Sequence, residues 1–162
     1  MLTEAQAWQV LQEVPDPELP AVSVCELGIV REVHASVDGI RVVVTPTYSG
    51  CPATEMIDAA IRAALAEAGA GGVTVEMRLS PTWTSDWITS EARAKLHAHG
   101  IAPPQPTANG QTQPLRFIPP SPACPRCGAR NTVRLSEFGS TACKALYRCE
   151  QCREPFEYFK PI

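Results

Sequence analysis

The sequence predicts an α+β domain with a small mixed three-stranded sheet, in the order α-β-β-α-β-α, followed by a small β ribbon closed by cysteines. Three observations carry this. Apolar residues over the first hundred positions recur first at helical spacing, then in alternation, and then at helical spacing again. Residues 101–122 contain seven of the sixteen prolines and a single charge, Arg116. Beyond them, the pairs Cys124-Pro-Arg-Cys127 and Cys149-Glu-Gln-Cys152 repeat one spacing across 21 intervening residues.

Each element has a local cause. Thr3 and Gln6 form a capping box ahead of Ala7, Val10, Leu11 and Val14, and Pro15 and Pro17 stop that helix. Ile29 to Val37 and Ile40 to Thr45 flank Asp38-Gly39, a strong hairpin signal. Pro52 to Ala68 predicts a helix with Ile57, Ile61, Leu65 and Ala68 on one stripe, ended by Gly69. Val73, Val75, Met77 and Leu79 alternate with Thr74, Glu76 and Arg78, which predicts a half-buried third strand after a crossover helix. A last helix is expected from about Ser85 to His99, with Ile88, Ala92 and Leu96 inward and Gly100 behind it. The domains expected are therefore 1–100, a proline-rich linker over 101–122, and a ribbon over 123–162. Leu115, Phe117 and Ile118 of the linker have the character to pack on a flanking domain.

Bulk properties narrow the class. The chain has 162 residues, 44% hydrophobic and 19% charged, with a net charge of −3, as a soluble globular protein does. The start carries Glu4 and no basic region, unlike a secretory signal, and the apolar run Met56–Ala66 is broken by Asp58 and Arg62. The reading is cytoplasmic, with no membrane. Seven cysteines without an export signal point to metal or thiol chemistry rather than disulfides. Residues 1–100 carry thirteen acidic and six basic side chains, and residues 123–162 seven basic and four acidic. The ribbon's positive charge offsets four metal-bound thiolates, so it does not mark a nucleic-acid surface, and no nucleic-acid partner is expected.

Two thiolates separated by two residues close a tight turn on one tetrahedral ion, so Cys124, Cys127, Cys149 and Cys152 are the metal ligands expected, with structural zinc as the ion. Iron is the chemical rival at the same four sulfurs. Thr132–Phe138 and Ala142–Arg148 read as a hairpin about Gly139, and Pro155–Phe159 as a third strand. Cys143 is six residues from Cys149, ~20 Å along an extended strand, so it reads as a buried apolar residue. A closed four-cysteine site leaves no open position for chemistry, so the ribbon reads as a docking or structural module.

One further constellation stands out in the first domain. Thr45-Pro-Thr47-Tyr-Ser49-Gly-Cys51-Pro52 places Cys51 at the expected N-cap of the second helix, where amides and the helix dipole would stabilise a thiolate. The alternative is a small buried residue at a tight turn. Asp16-Pro-Glu18-Leu-Pro20 offers two carboxylates to a metal or partner amides, or forms a solvated turn with Asp16 bonded to nearby backbone. His34, His97 and His99 show no ligand spacing with it. No nucleophile–base set, P-loop or dinucleotide fingerprint appears, so the chain reads as non-catalytic.

At these motifs the sequence resembles a known family. Asp16-Pro-Glu18-Leu-Pro20, Leu27-Gly-Ile-Val30 and Thr45-x-Thr-x-x-Gly-Cys51-Pro52 resemble the iron–sulfur assembly domain of SufT-type proteins and cytosolic cluster-targeting factors. Joined to a ribbon carrying Phe138-Gly-Ser-Thr-Ala-Cys143-Lys-Ala-Leu-Tyr147-Arg-Cys149 and Pro155-Phe-Glu-Tyr-Phe-Lys160, they resemble the accessory subunits encoded with bacterial phenylacetyl-CoA epoxidase (the PaaD or PaaJ family). The resemblance implies a role in phenylacetate catabolism, assisting maturation of the iron or iron–sulfur centres of that di-iron monooxygenase. It implies that Cys51, with Asp16 and Glu18 close by, handles iron or a labile cluster transiently. It also implies epoxidase subunits, and iron–sulfur carriers, as partners. A docking subunit of the monooxygenase is the alternative, and a nucleic-acid-binding ribbon the more distant one.

Overall fold

A computed structural model describes residues 1–48, 50–106 and 121–162. The chain divides into two compact units, 1–92 and 93–162.

In the first unit, α1 (Glu4–Gln12) opens with the expected capping box: Gln6 N donates to Thr3 Oγ1 at 3.3 Å, and Thr3 N donates to Gln6 Oε1 at 3.0 Å. Ala7 and Leu11 form its buried stripe. Strands β1 (Val30–Ser36) and β2 (Gly39–Val44) pair antiparallel. Gly39 has φ +135°, and a Cβ there would lie 2.2 Å from the Gly72 carbonyl oxygen, so only glycine fits the turn. Helix α2 (Ala53–Glu67) buries Ile57, Ile61 and Leu65, each contributing about 1.5–3 kcal/mol relative to exposure. It returns the chain to β3 (Val73–Met77), which runs parallel to β2. The sheet order is β1-β2-β3, a mixed three-stranded sheet. Because β2 and β3 are parallel and α2 connects them, the C-terminal ends of both strands and the N-terminus of α2 lie at one end of the unit.

The last expected helix is interrupted. Ser85–Trp87 form a 3-10 turn, Ile88 is extended (φ −67°, ψ 127°), and α3 covers Ser90–Ala98. Thr89 is the cause: its Oγ1 accepts from Ala92 N at 3.1 Å while its own N donates to Glu26 O at 3.0 Å. A threonine committed to capping the following turn cannot also continue the preceding one.

The second unit is a four-stranded sheet in the order β4-β7-β6-β5, not the three strands expected. The extra strand, β4 (Ile101–Ala102), pairs parallel with β7 (Pro155–Phe159) inside the span read as linker. These two residues follow Gly100 (φ +76°) and precede Pro103, so they retain the amides that a ladder needs. The rest of that span from 107 to 120, with Leu115, Phe117 and Ile118, lies outside the described residues. Strands β5 (Thr132–Ser136), β6 (Lys144–Cys149) and β7 are antiparallel neighbours. Ala102, Cys124, Ala145, Tyr147, Cys149, Phe156 and Tyr158 make one buried cluster. Tyr147 stacks on Phe156 at 6.0 Å between centroids and meets Tyr158 edge-on at 5.6 Å.

Candidate metal centre and thiol site

The four cysteines of the two knuckles converge. Their sulfurs all lie within 4.8 Å of one another, with Cys124 to Cys152 at 3.7 Å and Cys127 to Cys149 at 3.5 Å. A tetrahedral zinc with Zn–S bonds of about 2.3 Å requires sulfurs about 3.8 Å apart, so this donor set fits such an ion. The two knuckles repeat one backbone design. Cys124 N donates to Ala129 O at 2.9 Å and Cys149 N to Glu154 O at 3.0 Å, each five residues on. The residue after each second cysteine is left-handed, Gly128 at φ +75° and Arg153 at φ +66°.

The electrostatics suit a cation. The amides of Cys152 and Gln151 bring the Cys149 thiol down to about 7, against the effect of its burial. Cys152 goes the other way, to about 12. The Glu154 amide would lower it, but burial and the thiols of Cys149, Cys127 and Cys124 outweigh that amide. Four sulfurs this close can all be thiolates only around a positive ion.

In the first unit, Cys51 is buried, at 7% exposure, one residue ahead of Pro52, the N-cap of α2. This corrects its expected position by one residue, and Pro52 makes no side-chain cap. The Cys51 thiol is pushed up, opposite to the direction that a helix start alone would give. Burial is the main cause, the Ala53 amide and the Tyr48 hydroxyl oppose it, and Glu18 and Asp16 add to it. Burial, with the charge of two carboxylates added, outweighs the amide and the hydroxyl. The fold thus brings Cys51, Glu18 and Asp16 within electrostatic reach of one another, although 32 residues stand between Glu18 and Cys51 in the chain. Asp16, 5% exposed, keeps a local duty: its Oδ1 accepts from Glu18 N at 2.9 Å and Leu19 N at 2.8 Å. Ser49 of the same motif lies outside the described residues. Tyr48 was missed by sequence reasoning. Its place in the turn before Cys51 was the available signal, but a turn gives no direction to a ring.

The comparisons with known proteins follow this division. Residues 4–77 match the family model for an iron–sulfur cluster assembly protein, and residues 109–160 the one for the PaaD zinc beta ribbon domain. The chain is 48% identical over 157 residues, 97% of its length and 92% of the relative's, to a protein of Escherichia coli (strain K12) named as the D component of 1,2-phenylacetyl-CoA epoxidase. The chain belongs to the PaaD family of phenylacetyl-CoA epoxidase subunits. Solved structures resemble it over 58% of its length. A DUF59 domain from Bacillus anthracis does so at 26% identity and TM-score 0.55, covering 91% of that chain. A conserved hypothetical protein from Thermotoga maritima does so at 29% identity and TM-score 0.50, covering 93% of that chain.

Within this PaaD-family ribbon, Cys143 is not one of the clustered sulfurs. It is 4% exposed, with Sγ 3.1 Å from Thr141 Oγ1. Cys143→Ala is therefore expected to keep full metal stoichiometry and to cost about 1–2 kcal/mol in urea unfolding. Loss of metal would show instead that Cys143 is a ligand. His97 and His99 are near the end of α3, where His99 Nδ1 is 2.8 Å from Lys95 O, and His34 lies between Glu32 and Glu4 at 3.1 and 3.8 Å. None of the three joins a cysteine cluster among the described residues. No helix of the described residues is long and apolar enough to cross a membrane.

Proposed function

We propose that this PaaD-family protein assists assembly of the iron or iron–sulfur centres of the phenylacetyl-CoA epoxidase complex, with Cys51 as the thiol that handles iron or a cluster in transit. The observation that carries this reading is the buried Cys51 ahead of α2, with the charges of Glu18 and Asp16 acting on its sulfur, inside the span that matches an iron–sulfur assembly family. Two carboxylates that place negative charge near the Cys51 sulfur favour an approaching cation, and burial limits the access of water to the thiol. The partners in this reading are the epoxidase subunits and iron–sulfur carriers. The ribbon holds zinc as a structural ion, since four thiolates complete the tetrahedron and leave no site for a substrate. Iron in the same place would give a coloured protein, and zinc a colourless one.

The test replaces Cys51 by Ser. Serine keeps the size and the capacity to accept the Ala53 amide, so the unit should fold as before. Its hydroxyl stays protonated at neutral pH and binds iron poorly. Cells carrying only Cys51→Ser are expected to make epoxidase subunits that assemble but lack iron or cluster, with the ribbon's metal unchanged. The measurement is the iron content of the epoxidase complex purified from those cells. A fully metallated, active complex would reduce Cys51 to a packing residue and favour a docking subunit instead.

A further inference from the structure

The first unit is strongly acidic, and its cations are already engaged. Residues 1–92 carry thirteen Asp and Glu against four Arg. Arg41 pairs with Glu76 at 3.1 Å, Arg62 with Asp58 at 2.6 Å and Arg78 with Glu32 at 2.5 Å, while Arg31 stacks on Trp87 at 3.6 Å. A formal charge of −9 with every arginine occupied leaves a negative field for whatever approaches.

That unit also leaves large apolar side chains exposed, and they are unevenly placed. Met56 is 60% exposed in the first turns of α2, Met77 is 42% exposed as the last residue of β3, and Leu79 is 55% exposed two residues beyond it. Met77 pairs in register with Val44, the last residue of β2, and Arg78 N still donates to Val44 O at 2.8 Å. The topology therefore brings Met56, Met77 and Leu79 to the same end of the unit as Cys51. Glu55, exposed in the first turn of α2, and Glu18 add negative charge there. Exposed apolar groups under a one-signed field select a partner of the opposite sign with apolar anchors of its own.

We propose that this end of the first unit, with Met56, Met77 and Leu79, is the docking surface for a basic, apolar-anchored segment of the client protein. The surface rests on the reading of Cys51 given above, and it names the kind of segment that comes to that thiol. A second copy of the first unit is disfavoured by its own charge, since two units of −9 repel.

The test uses the full-length protein and the purified oxygenase and reductase subunits of the epoxidase, each immobilised in turn. At least one subunit should bind, and Met56→Glu and Leu79→Glu should each weaken that binding roughly tenfold or more. Val37→Glu is the control: Val37 is 84% exposed but lies in the β1–β2 turn, at the opposite end of the sheet. It should bind within about twofold of the parent. Binding should also weaken about tenfold between roughly 0.05 and 0.5 M salt, as expected for opposite charges. Absence of binding by the parent protein, equal loss in all three variants, retained binding in Met56→Glu and Leu79→Glu, or salt-independent binding would each overturn the proposal. So would a change in oligomeric state in those two variants, which would make the surface a self-contact. Cys51→Ser should bind as the parent does, so a failure of docking and a failure of iron handling give different results.

Discussion

Cys149→Ser is expected to empty the ribbon of metal and unfold the sheet of the second unit, while residues 1–92 keep their structure. Cys149 is fully buried, shares the core with Tyr147, Phe156 and Tyr158, and receives the amides of two following residues on its sulfur. A ribbon of this size buries too little surface to fold alone, and structural zinc in comparable modules supplies roughly 10–16 kcal/mol of apparent binding energy at neutral pH. Losing one of four ligands removes most of that, which exceeds what the small aromatic cluster contributes. Elemental analysis of the purified variant measures the first effect, and amide exchange resolved by segment the second. Cys124→Ser should behave alike. Full metal content in both variants would contradict the four-sulfur site.

The second large effect is expected from Glu157→Ala. Lys144 on β6 has a side chain only 4% exposed, and its Nζ is 2.9 Å from Glu157 Oε2 on β7. Glu157 Oε1 also accepts from Ser140 N at 2.6 Å, and a Cβ at Gly139 would lie 2.6 Å from that oxygen. The Phe138-Gly-Ser-Thr run thus folds down over a carboxylate that neutralises a buried ammonium. Removing the carboxylate strands that charge, which costs about 3–5 kcal/mol, whereas replacing both partners (Lys144→Met with Glu157→Leu) should be close to neutral. Urea unfolding of the metal-loaded protein separates the two. The pH dependence has a definite sign. Burial alone would raise the Glu157 carboxyl, but Lys144 and Ser140 hold it below its ordinary value of 4.5. Its contribution is therefore complete above that value and is lost as pH falls through the lower, folded one. The loss should be absent from the doubly substituted protein.

Much of this was legible before any fold was known, because the causes are local. The Thr3–Gln6 box, the Asp38-Gly39 turn, the alternation from Val73 and the two Cys-x-x-Cys pairs each act within a few residues. So do the turn between β1 and β2 and the glycine, Gly69, that follows α2. The misses have the opposite origin. Thr89 breaks the last helix because its amide is held by Glu26, 63 positions earlier, which periodicity cannot register. Ile101 and Ala102 become a strand only because Glu157 and Tyr158 are there to receive them.

The chemistry divides in the same way. Residue spacing alone picked out the four cysteines whose sulfurs cluster, since a two-residue separation already dictates how two sulfurs can share an ion. Only the tertiary structure decided the state of Cys51. A sequence shows the helix start that favours a thiolate, but the burial and the carboxylates of Asp16 and Glu18 that oppose it come from elsewhere in the fold. Charge acts through space and desolvation depends on what covers a group, so neither can be counted along a chain.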